Sequence, residues 1–106
     1  MSGAFAVRLT EAALADLHRL FDHLLERVQT EEELGTAQET VDALRAAVEI
    51  HLSRSPFLYR KAGDSPFLRE LVVSFGRAGY VALFEIVNAS TVHVAAIRHQ
   101  LEVDYH

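Results

Sequence analysis

Phe67-Leu-Arg-Glu-Leu-Val-Val-Ser-Phe75, Tyr80-Val-Ala-Leu-Phe-Glu-Ile-Val87 and Thr91-Val-His-Val-Ala-Ala-Ile-Arg98 decide the fold. Each run is rich in β-branched and aromatic residues and has the length of a strand. Gly76-Arg-Ala-Gly79 and Asn88-Ala-Ser90 separate the runs. Connections this short, built from Gly, Asn and Ser, reverse the chain tightly, so the three runs pair as an antiparallel meander. Arg69 and Arg98 mark its beginning and end, and Arg77 reads as a solvated turn residue. A short polar tail, His99-Gln-Leu-Glu-Val-Asp-Tyr-His106, follows.

Upstream the periodicity changes from two to about 3.6. Phe5-Ala-Val-Arg-Leu9 alternates and reads as a short strand. Thr10 then offers an oxygen to cap a helix, with Glu11 at its positive end. The helix is expected over 11–32, with Ala13, Leu14, Leu17, Leu20, Phe21, Leu24, Leu25 and Val28 on one stripe. Gly35 is read as its C-cap. Thr36 and Glu39 form a capping-box pair for a second helix, which ends at Ser53–Ser55 because Ser55 precedes Pro56. Residues 53–66 read as a long, locally basic loop whose Pro56-Phe57 and Pro66-Phe67 pairs are expected to pin its ends to the core. The order β-α-α-β-β-β implies an α+β two-layer sandwich: a helical hairpin on a small, mainly antiparallel sheet, as one domain over residues 1–106. One sheet face is then left partly bare for a partner.

The chain has 106 residues and a net charge of −5, unevenly spread. Residues 1–53 hold four bases against ten acids, and residues 54–106 hold six bases against five acids. Such a chain repels phosphate at long range, which argues against general nucleic-acid affinity. Lys61 is the one lysine among ten bases. Arginine suits planar, bidentate recognition of carboxylate and phosphate. No apolar run reaches membrane-spanning length, and the first residues lack a secretory pattern, so a cytoplasmic protein is expected. Asn88-Ala-Ser90 is then a turn rather than a glycosylation acceptor.

The usual catalytic signatures are missing. With no cysteine there is no thiolate metal site or thiol nucleophile. None of the six histidines makes an i, i+4 pair on a helix: His18 and His23 are five apart, and His93 and His99 are separated along an extended strand. No metal or other cofactor is expected. No Gly-x-Ser-x-Gly elbow or phosphate-cradling glycine loop occurs. The leucine stripes read as core rather than as a membrane face, because the polar sides of these helices are acidic.

Strand, helical hairpin, basic loop, three-stranded meander and polar tail resemble the RelE/ParE family of bacterial type II toxin–antitoxin systems. The local matches are Leu68-Arg-Glu-Leu-Val72, Phe75-Gly76 with Gly79-Tyr80-Val-Ala-Leu-Phe-Glu-Ile86, and Ala96-Ile-Arg-His-Gln100 running to Asp104-Tyr-His106. They look closer to the ParE branch. This resemblance implies a toxin of a plasmid-stabilisation module that inhibits DNA gyrase by binding it. It also implies a cognate ParD-like antitoxin that neutralises the toxin in a hetero-oligomer. Tyr59, Arg60, Lys61, Arg69, Tyr80, Arg98, His99 and Tyr105 are the expected partner-binding residues. The RelE branch implies a different activity, ribosome-dependent mRNA cleavage. Cleavage needs a 2′-hydroxyl activated, phosphorane charge neutralised and a leaving oxygen protonated. Arg60, Lys61, Arg69, Arg98 and Tyr105 would then act, with His99 or His106 as acid or base. The acidic balance and single lysine depart from that branch's basic pattern. A third possibility is a member that keeps the fold and antitoxin binding but has lost toxicity.

Overall fold

The computed structural model describes residues 4–75 and 78–101. Strand β1 (Ala6–Leu9) leads into helix α1 (Glu11–Leu25) and helix α2 (Glu31–Arg54). A 3-10 turn over Pro56–Leu58 precedes a two-residue strand, β2 (Arg60–Lys61), and the meander β3 (Leu68–Phe75), β4 (Ala78–Asn88) and β5 (Thr91–His99). The five strands form one sheet in the order β1-β5-β4-β3-β2. β1 runs parallel to β5 and the other pairings are antiparallel. The expected α+β sandwich with a helical hairpin is what forms. No helix among the described residues is long and apolar enough to cross a membrane.

The helical boundaries differ from the expectation. α1 ends at Leu25, and α2 begins at Glu31 with Gly35 inside it. The cause lies at Thr30. Its hydroxyl accepts from the Glu33 N–H at 3.1 Å, while the Glu33 carboxylate accepts from the Gln29 N–H at 2.8 Å. This reciprocal cap, with Glu31, Glu32 and Glu33 in the first turn, nucleates the helix before Gly35 can stop it. The cap at Thr10 is as expected, its hydroxyl accepting from the Ala13 N–H at 3.1 Å. α2 ends at Arg54, just before Pro56. Within the 53–66 loop, Arg60 and Lys61 add an edge strand opposite Glu70 and Arg69.

The core lies between the helices and one sheet face. Ala13, Leu17 and Leu20 of α1 and Leu44, Val48 and Leu52 of α2 meet Leu71, Val73, Tyr80, Phe84, Ile86, Val92, Val94 and Ile97. Burying apolar surface at about 25 cal/mol per Å² makes this layer the main source of stability. A register shift at Leu83/Phe84 leaves Ala95 unpaired as a bulge, so β5 changes face there. Val92, Val94, Ile97 and His99 therefore share the helix-covered face, and His93, Ala96 and Arg98 lie on the other. That other face is bare in places, with Val72 and Val87 exposed by 40% and 44%. It is closed at Val81 and Ala96, each 1% exposed. Asn88 Oδ1 accepts from the Ser90 N–H at 2.9 Å, which builds the β4–β5 turn. Arg77 lies outside the described residues.

Candidate partner-binding surfaces

The helix hairpin does not cover the whole sheet. A groove of about 640 Å³ opens between the second half of α1 and the end of the sheet formed by Ala78, Tyr80 and His99. Leu20, Leu24, Ala78, Tyr80 and Leu101 give it apolar walls, and Arg19, Arg27, His23, Asp22, Glu26 and His99 give it a mixed-charge rim. Tyr80 is only 5% exposed, and its ring meets that of His99 edge-on at 5.4 Å. Burial pushes the Tyr80 phenol above its ordinary value, because the charged form would lose hydration. His99 belongs to β5 rather than to a tail: it pairs with Tyr80, and its Nδ1 accepts from the Leu101 N–H at 3.1 Å. Leu101 stands 85% exposed at the mouth of the groove.

A second surface forms where α2 hands over to the sheet. Pro56 is buried and turns the chain, leaving Phe57, Leu58 and Phe67 in solvent at 51%, 79% and 49% exposure. Phe57 and Phe67 pack edge-on with ring centres 6.4 Å apart. Arg69 holds this knuckle together. Its Nε donates to the Pro66 carbonyl at 2.7 Å, and its Nη1 to the carbonyls of Tyr59 at 2.7 Å and Phe57 at 3.2 Å. The same guanidinium lies 5.3 Å from the centre of the Phe57 ring. A planar fork with several fixed donors can tie separate carbonyls in this way, which an ammonium does less well.

The remaining sequence-predicted residues are scattered. Tyr59 turns inward, edge-on to the buried Phe84 ring at 6.3 Å. Arg60 pairs with Glu70 at 3.1 Å. The register puts this pair on the sheet face opposite the helices, and puts Arg69, opposite Phe84, on the helix side. Lys61 is exposed on β2. Arg98 lies on the open face three strands from Arg60, and its Nη1 donates to the carbonyls of His99 and Gln100 at 3.3 and 3.4 Å. With strands about 4.8 Å apart, Arg60 and Arg98 stand about 14 Å or more from each other. Tyr105 and His106 lie outside the described residues. Lys61 and Arg69 face each other across β2 and β3, Arg60 and Arg98 stand apart on the opposite face, and Tyr59 and Tyr80 do not join them there.

His18 and His23 sit on the surface of α1. His18 faces Asp22 at 3.7 Å and His23 faces Glu26 at 3.7 Å. Among the described residues no group of three or more His, Cys, Asp or Glu gathers to hold a metal.

Asp16 escapes the sequence reading. It is 3% exposed, and its Oδ2 accepts from the Ile97 N–H at 2.8 Å. β1 pairs with β5 only as far as Val94. Beyond that point α1 satisfies the strand's outer edge. Thr10 donates its N–H and its hydroxyl to the Val94 carbonyl at 3.0 and 2.9 Å, Asp16 takes the Ile97 N–H, and Arg19 Nη2 reaches the Ile97 carbonyl at 3.4 Å. These side chains close an edge that another strand would otherwise join. The available signal was position: Asp16 is three residues after Ala13 and four before Leu20, on the apolar stripe itself.

The comparisons agree with this architecture. A solved structure described as the chromosomal ParDE TA system from P. aeruginosa superposes with a TM-score of 0.69 at 18% identity, covering 91% of this chain and 96% of that one. At that identity the likeness concerns the fold alone. No curated protein matches the chain. The family described as ParE toxin of type II toxin–antitoxin system, parDE, matches residues 7–103. A match over nearly the whole length, on a sheet and helical hairpin of this layout, places the chain in the ParE toxin family of type II toxin–antitoxin systems.

Proposed function

We propose that this chain is the toxin of a ParDE-type module, acting in the cytoplasm by binding DNA gyrase rather than by cutting RNA. The observation that carries the binding reading is the dispersal of the cationic candidates. Phosphoryl chemistry needs donors within about 3 Å of the position where charge develops. Here Arg69 is committed to three backbone carbonyls, Arg60 to Glu70, and Arg98 to the far side of the open face. The separation of these three arginines supports a binding role over phosphoryl chemistry.

Neutralisation falls to a cognate ParD-like antitoxin in a hetero-oligomer. The groove beside Tyr80 fits an amphipathic helix: apolar walls receive the apolar stripe, and Arg27 on the mixed-charge rim receives an acidic residue. Purified toxin is expected to inhibit gyrase supercoiling and to release it when the antitoxin is added. Cleavage of ribosome-bound mRNA, with supercoiling untouched, would overturn this function.

A further inference from the structure

Resting on the toxin reading, we infer that the Phe57–Leu58–Phe67 knuckle is the surface that engages the toxin's target, and that its occupant is an acidic segment presenting an apolar pocket. Leu58 projects at the tip of the 3-10 turn with 79% of its surface in water, flanked by the two half-exposed phenylalanines. Adjacent large apolar side chains held in solvent are unfavourable unless something covers them. The loop that carries them is rigidly built: Pro56 is buried below it and Arg69 ties the carbonyls of Phe57, Tyr59 and Pro66. Such preorganisation lowers the ordering cost of docking, and phenylalanine and arginine are both enriched where proteins dock.

Charge identifies the occupant. Residues 54–67, which span the knuckle, carry Arg54, Arg60 and Lys61 against the single acid Asp64, in a chain of net charge −5. Arg60 is paired with Glu70, and Arg54 and Lys61 are exposed beside the knuckle. A basic, apolar surface on an otherwise acidic protein attracts an acidic partner. A groove-bound antitoxin helix leaves this surface at the other end of the sheet.

The test uses the full chain and three variants, Leu58→Asp, Lys61→Glu and Leu34→Asp. Leu34 is an exposed leucine in the first turn of α2, 44% exposed, and serves as the control. Each is expressed for growth arrest, assayed against purified gyrase in supercoiling, and checked for folding by thermal melting. All three positions are exposed, so melting temperatures within a few degrees of the parent are expected. Leu58→Asp and Lys61→Glu should lose growth arrest and inhibit supercoiling at least tenfold less well, while Leu34→Asp keeps both. Leu58→Asp within twofold of the parent overturns the knuckle, and Leu34→Asp falling equally overturns its specificity. Lys61→Glu at full strength overturns the acidic occupant. If the parent arrests growth without touching supercoiling, gyrase is not the target, and growth arrest alone decides the knuckle. A parent that does not arrest growth overturns the toxin reading and this inference with it.

Discussion

Replacing Asp16 with alanine should expose how the helix layer is locked to the sheet. The carboxylate is 3% exposed and holds the Ile97 N–H at 2.8 Å. Alanine removes the acceptor and leaves that N–H inside the protein without its charged partner. A hydrogen bond to a charged group contributes about 1.5–3 kcal/mol. Alanine returns about 0.5 kcal/mol through better helix propensity. The net loss is about 1–2.5 kcal/mol, and at about 4 °C per kcal/mol for a chain of this size the melting temperature should fall by about 4–10 °C. Asp16→Asn keeps an acceptor oxygen but not the charge, so it should lose about half as much. Urea unfolding of the purified chain reads both values. A loss below about 0.5 kcal/mol for Asp16→Ala would show that the Ile97 N–H finds another partner and refute the edge-sealing argument.

Gly35→Ala should raise stability by about 0.5–1 kcal/mol in the same urea experiment, because Gly35 lies inside α2 and an added methyl group would meet nothing within 4 Å. Arg69→Ala should cost about 1–2 kcal/mol and speed proteolytic cleavage within residues 57–67, with Arg69→Lys recovering only part, since three carbonyls lose their shared donor. Arg60→Ala, which removes the exposed partner of the largely buried Glu70 carboxylate, should cost about 1 kcal/mol. Tyr80 has its phenol held above the ordinary value of 10.0, so the unfolded chain ionises first as pH rises. Its stabilising contribution is complete below pH 10 and lost above it; unfolding at pH 9 and pH 11 should show a smaller loss for Tyr80→Phe than for the parent.

The divide between legible and illegible features lies in how far along the chain the cause sits. The meander, the Thr10 cap, the stop before Pro56 and the leucine stripes depend on neighbours a few residues away, and periodicity and turn chemistry are local. The fold class and the family follow from them. The start of α2 departs from the expected position although its cause is also local: two capping boxes compete, and the one at Thr30 wins by gathering Glu31, Glu32 and Glu33 at the positive helix end.

Other features required the assembled sheet. The bulge at Ala95 sends Ile97 and His99 to the helix side and Arg98 to the open side, which alternation alone cannot foresee. Tyr59 and Tyr80, aromatic and near arginines in sequence, turn inward because Phe84 and His99 wait there. Arg69, read as a charge for a partner, spends its donors on its own backbone. Asp16 is buried because β1 is shorter than β5 and leaves an N–H for α1 to satisfy. Local pattern sets which elements exist, since backbone propensity and capping act over one or two turns. Which side chains remain for a partner is decided only when strands of unequal length are aligned and every buried donor must find an acceptor.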